Sequence, residues 1–140
     1  MMNFFKRAPK PSRDAYAVVT GAGSGIGRSF ALELVHRGGA VICADVNLDA
    51  ARETVLLIEQ AGGRAHAVYC DVGNAEAVRE LSEQAEVLLG HPVTLLINNA
   101  GVGLGGKFDE LSLDDWQWCM HVNLWGVIHG CHYFVPGFKK

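Results

Sequence analysis

Tyr16-Ala17-Val18-Val19-Thr20 runs directly into Gly21-Ala22-Gly23-Ser24-Gly25-Ile26-Gly27, and this junction decides the fold. A short apolar strand meets glycine at every second position, and an amphipathic helical pattern begins at once. Glycine at a strand-to-helix turn lets the backbone approach a ligand that any Cβ would hold off. The helix beyond offers unpaired N–H groups and the positive end of its dipole, a combination that favours a pyrophosphate. The spacing is specific. GxGxxG read from Gly21 requires glycine where Ile26 stands, and read from Gly23 it requires glycine where Arg28 stands. What fits is TGxxxGxG, carried by Thr20, Gly21, Gly25 and Gly27, with Ser24 and Ile26 between them as further backbone contacts.

Outward from this junction, strand and helix patterns alternate, as in a parallel sheet with crossover helices. Strands are predicted at about 15–20, 40–45, 65–70 and 93–98. A helix over about 25–37 is expected to bury Ile26, Phe30, Ala31 and Leu34 and to stop at Gly38-Gly39. The next begins at Asn47 as N-cap, buries Leu48, Ala51, Val55 and Ile58, and ends at Gly62-Gly63. A third, over about 75–89, places Val78, Leu81, Ala85 and Leu88 on one face. Ser112 with Asp115 forms a capping box that opens a last long helix. Right-handed crossovers allow an α/β, doubly wound (Rossmann) sheet of four strands in order 3-2-1-4. The ligand cleft then lies at the carboxyl ends of the first and fourth strands, where the motifs fall.

The chain has 140 residues, 49% of them apolar, which suits one domain with a real core. Residues 14–140 are expected to form it, with 1–13 a mobile basic tail. A net charge of −3, without a basic stripe, argues against a nucleic-acid partner. No apolar run reaches the roughly 18 residues that span a bilayer, and the N-terminus lacks the pattern of a signal peptide. Cys43, Cys70, Cys119 and Cys131 show no paired spacing. Cys43 and Cys70, near the ends of strand-like runs, read as buried free thiols, and a reducing, cytoplasmic setting is expected.

The combination of Thr20-Gly21, Gly25 and Gly27 with Asn98-Asn99-Ala100-Gly101 and Asn123-Leu124-Trp125-Gly126 resembles the short-chain dehydrogenase/reductase family from about Asp14 to the last residue. The resemblance covers only the family's N-terminal, cofactor-binding half, so the four-stranded sheet is expected to be incomplete relative to the family. Asp45 ends the second strand, 20 residues after Gly25. A carboxylate there can accept both adenosine ribose hydroxyls and repels a 2′-phosphate, and neither Ser24 nor Val46-Asn47 supplies a basic side chain. NAD(H) is therefore expected over NADP(H). Asp71-Val72 resembles the family's adenine-contacting pair, although Asp71 could equally serve as an N-terminal charge for the following helix. The resemblance implies that Asn99 contacts the cofactor near its ribose and steadies the central strands, while Ala100 and Gly101 let backbone approach the nicotinamide.

For Asn123 the resemblance implies membership of an Asn-Ser-Tyr-Lys catalytic set, holding through its local backbone a water that links the lysine to solvent. The family's serine and Tyr-x-x-x-Lys do not occur here. The chain stops 17 residues after Asn123, and Tyr133 is followed four positions later by Gly137. The expectation is the cofactor-binding part of an oxidoreductase acting on a carbonyl or secondary alcohol, a fragment inactive by itself. The alternative is a catalytically silent nucleotide-binding or regulatory fragment complete at Lys140. His121, His129 and His132 would share an arc of about 80° on one continuous helix, but no ligand spacing supports a metal. They read instead as a packing or subunit surface, since this helix in the family forms part of a dimer interface. Trp116, Trp118 and Trp125 suit core or interface equally.

Overall fold

The computed structural model describes residues 10–140. Of the segment expected as a basic tail, residues 1–9 lie outside the described residues, and Lys10–Arg13 close a turn through Arg13 N–H donating to the Lys10 carbonyl at 2.9 Å. The elements run β1 (Tyr16–Thr20), α1 (Gly25–His36), β2 (Ala40–Asp45), α2 (Leu48–Gln60), β3 (Arg64–Tyr69), α3 (Ala75–Leu89), β4 (Leu95–Ile97), α4 (Leu113–Met120), a π turn (His121–Trp125) and α5 (Gly126–Phe138). The four strands form one parallel sheet in the order β3-β2-β1-β4, as expected.

Period-two alternation sorts the strand residues onto two faces, both covered, as a parallel sheet requires. Val18, Ile42 and Val68 pack with Leu81, Ala85, Leu89 and Phe134, under α3 and α5. Val19, Val41 and Cys43 pack with Ala31, Leu34, Ala51 and Ile58, under α1 and α2. The caps follow the sequence signals. The Asn47 side chain accepts from Ala50 N–H, Ser112 and Asp115 form a reciprocal capping box, and α3 ends at Gly90 in the left-handed region.

Several expectations are corrected. In α1 the inner stripe is Gly27, Ala31 and Leu34, while Ile26 and Phe30 are 71% and 42% exposed. Ala31 and Leu34 are buried as expected, and the close approach of α1 to β1 puts Gly27, not Ile26 or Phe30, on the same stripe. In α2 the buried set is Ala51, Thr54 and Ile58; Leu48 and Val55 are half-buried. Thr54 enters the core because its hydroxyl donates to the Ala22 carbonyl at 2.8 Å. In α3, Leu89 rather than Leu88 is buried. The last helix is not continuous: the π turn interrupts it, so the three histidines do not share the arc an unbroken helix would give them. Strand β4 is three residues long and pairs only with β1 among the described residues.

Ile42, fully buried at the centre of β2, should cost about 2–5 kcal/mol when truncated to alanine, measured by denaturant unfolding. Val87→Ala, at a position 81% exposed, should stay within about 0.5 kcal/mol in the same measurement.

Candidate functional site

A cleft of about 440 Å³ opens at the carboxyl ends of the strands, between the β1–α1 turn, the ends of β2 and β3, and the loop after β4. Its first wall is the glycine turn, contributed by Gly21, Ser24, Gly25, Ile26 and Gly27. Gly27 allows helix and strand to touch, because a Cβ there would collide with the Gly21 carbonyl. Gly25 adopts φ +52° with no atom within 4 Å of where a Cβ would stand, so it leaves the cleft side of the turn open.

Asp45 forms the second wall. Its Oδ2 accepts from Gly23 N–H at 2.8 Å and its Oδ1 from Asn47 N–H at 2.9 Å, which fixes the carboxylate plane. Each oxygen keeps acceptor capacity beyond those bonds. At the end of β3, the Asp71 Oδ1 accepts from Gly73 N–H at 2.9 Å, and Val72 is buried beside it. The imidazole of His129 on α5 holds the Val72 carbonyl at 2.9 Å.

The third wall, Asn99, Ala100 and Gly101, hangs from β1. The Thr20 hydroxyl, buried between the strands, accepts from the N–H groups of Asn99 and Ala100, both at 3.1 Å. The Asn99 carboxamide donates in return to the Thr20 carbonyl at 2.9 Å and the Gly21 carbonyl at 3.3 Å. Thr20, expected among the cofactor contacts, therefore lies behind the wall and not in it. Asn123 also stands back from the lining. Its Oδ1 accepts from Val102 N–H at 2.8 Å, and its Nδ2 donates to the Val102 carbonyl at 2.7 Å, a two-bond clamp between the π turn and the loop after β4. Every other residue expected in the site lines the cleft.

Sequence reasoning missed Val46, Cys70, Val102, Trp118 and Val122, which complete the lining. Four of them adjoin a named motif residue, and Trp118 lies one helical turn before Val122, so adjacency and helical spacing were the available signals. Burial pushes the Cys70 thiol up to about 12, with the neighbouring Asp71 carboxylate adding to the rise. Cys43 is likewise raised to about 12 by burial, against a smaller opposing pull from Arg28. The histidines are engaged one by one: His121 with the Gln117 carbonyl at 2.9 Å, His129 with Val72, and His132 edge-on to Tyr133. Among the described residues, no cluster of three or more His, Cys, Asp or Glu side chains could hold a metal ion.

The model of the short chain dehydrogenase family matches residues 15–140. The chain belongs to the short-chain dehydrogenase/reductase family. It is 40% identical over 121 residues to a cyclohexanol dehydrogenase of Acinetobacter, a match covering 86% of this chain and 48% of that protein. It is 36% identical over 121 residues to a probable oxidoreductase, EphD, of Mycobacterium tuberculosis, covering 86% of this chain and 20% of that protein. A short-chain dehydrogenase/reductase from Burkholderia phymatum in complex with NAD superposes with a TM-score of 0.86 at 42% identity, over 91% of this chain and 45% of that one. The chain thus spans from a fifth to about half the length of these relatives.

Thr20→Val leaves two backbone N–H groups without their acceptor, so this member of the family should lose about 1–3 kcal/mol of stability, read by denaturant unfolding. A loss under about 0.5 kcal/mol would show that the hydroxyl does not staple β1 to β4. In a native alkylation experiment at pH 8, exposed Cys131 should label while Cys43 and Cys70 stay unmodified until the chain unfolds; mass spectrometry of the peptides decides.

Proposed function

We propose that this chain is the dinucleotide-binding part of an oxidoreductase that works between a nicotinamide and a carbonyl or secondary alcohol, with NAD(H) preferred over NADP(H). The observation that carries the reading is the Asp45 carboxylate, held in a fixed plane by two N–H groups at the mouth of the cleft. A ribose with both hydroxyls free satisfies that carboxylate. A 2′-phosphate would set anion against anion, with Ser24 and Val46 offering no compensating charge. The NAD-bound relative from Burkholderia phymatum supports the same cofactor.

The residues divide the ligand among them. Ser24, Gly25, Ile26 and Gly27 present the start of α1 to the pyrophosphate, and Asp71-Val72 meets the adenine. Asn99 meets the cofactor near its ribose, and Ala100 and Gly101 let backbone approach the nicotinamide, which supplies hydride exchange when bound. Asn123 takes a positional role, since its side chain is committed to Val102. The family's serine and Tyr-x-x-x-Lys are not found within these 140 residues, so the 140-residue chain should bind cofactor without turning over an alcohol.

Exposed Leu124, Trp125, Val127 and Ile128 on the last helical segment support self-association through that face. Four free cysteines suit a reducing compartment, and no helix among the described residues is long and apolar enough to cross a membrane.

Fluorescence titration tests the reading directly. NADH should bind at least about tenfold more tightly than NADPH, and Asp45→Ala should narrow that ratio by about tenfold. Tighter binding of NADPH by the unsubstituted chain would overturn the NAD preference.

A further inference from the structure

Arg28 stands in the first turn of α1 but does not line the cleft. Its guanidinium turns back under the glycine turn. Nη2 donates to the Gly23 carbonyl and, at 3.5 Å, to the Ala50 carbonyl, while Nε donates to the Thr54 hydroxyl at 3.0 Å. A further contact, to Glu53 at 3.3 Å, reaches an exposed carboxylate. Thr54 is fully buried, and its hydroxyl donates a hydrogen bond to the Ala22 carbonyl at 2.8 Å. Two consecutive carbonyls of the turn are therefore held by side chains from α1 and α2.

The other side of Gly23 is also held. Its N–H donates to Asp45 Oδ2 at 2.8 Å. One residue of the turn is gripped by a carboxylate at its N–H and by a guanidinium at its carbonyl, so two successive peptide groups each make a charge-assisted hydrogen bond. A Cβ on Gly23 would lie 2.8 Å from both Asp45 Oδ2 and the Ala50 side chain, so nothing larger fits between these holders. Ala22 N–H donates to the Ala44 carbonyl at 3.1 Å and Asn99 holds the Gly21 carbonyl, but Ser24 makes no side-chain capping bond, so the Gly23 end of the turn is held by Asp45 and Arg28.

We infer that Arg28 is the positioning residue of the glycine turn: by holding the Gly23 carbonyl it keeps the N–H groups of residues 24–27 aimed at the pyrophosphate and Asp45 aimed at the ribose. This rests on the dinucleotide reading above. Arginine is required because two backbone carbonyls and a hydroxyl are taken by one planar fork, whereas a lysine ammonium is a single point donor.

The test uses the whole chain with two readouts, hydrogen exchange of the amides of residues 21–27 without ligand and fluorescence titration with NADH. Arg28→Met should raise exchange in the turn and weaken NADH binding, each by about tenfold or more. Arg28→Lys should fall between Met and the unsubstituted chain in both, and it carries the same comparison if Arg28→Met does not fold. Glu53→Gln, which removes only the exposed ion pair, should change affinity less than about twofold. Unchanged exchange in the turn overturns the clamp, whatever happens to binding. A loosened turn with unchanged NADH affinity overturns its role in binding. If the unsubstituted chain fails to bind NADH, the dinucleotide reading and the binding role fall together, while exchange still decides whether Arg28 holds the turn.

Discussion

Backbone must lie against backbone at the carboxyl end of β1, and the rest of the site depends on that closeness. Gly27 touches the Gly21 carbonyl, and a methyl group on Gly21 would come within 2.9 Å of the Ala100 Cα. Two turns, one entering α1 and one leaving β4, are thus packed on each other, with the Asn99 carboxamide as the side chain held at their contact. Such packing strands polar backbone groups away from water, where each one left without a partner is costly. The Thr20 hydroxyl and Asn99 carboxamide meet that need. Among the described residues no buried side-chain nitrogen or oxygen lacks a hydrogen-bond partner. Removing bulk creates the approach, and two small polar side chains make it tolerable.

The acidic residues at the mouth work by the same logic from the opposite charge. Asp45 is bonded to N–H groups on both sides of it in the fold, Gly23 of the turn and Asn47 of the α2 cap. Under the proposed function, ligand recognition and local structure share one carboxylate. The plane that would meet a ribose is set before any ligand arrives, which spares the ordering cost of a freely rotating side chain. Asp71 is fixed by one such bond, to Gly73, so the two acceptors differ in how firmly their planes are held.

The sequence made the sheet order, the strand ends and most of the cleft lining legible because those features depend on local patterns. Glycine spacing, period-two strands and capping residues each act within a few positions. Features set by tertiary approach were not legible. Ala31 and Leu34 were legible, but Ile26-Phe30 fits helical spacing as well as Gly27 does, and only contact with β1 decides between them. Thr54, a polar residue among apolar ones, carries no local signal of burial, since its partner is a carbonyl 32 positions away. Thr20 matched its motif, yet its hydroxyl turned out to serve β4. The π turn left no compositional mark, because Val122-Asn123-Leu124-Trp125 would sit comfortably in an ordinary helix.

That interruption has a geometric consequence for the far wall of the cleft. Asn123, inside the π turn, clamps Val102 in the loop after β4. His129, on α5, holds the carbonyl of Val72 at the end of β3, and Gly126 lets α5 approach the Val72 side chain. One helical segment thus braces two loops that come from different strands. An α-helix advances about 100° per residue, so deleting the extra residue of the wide turn would rotate everything after it by that angle. Asn123 could remain on Val102, but His129 would be carried away from Val72. The wide turn is what allows both contacts to exist at once, and the helix cannot straighten without releasing one wall of the cleft.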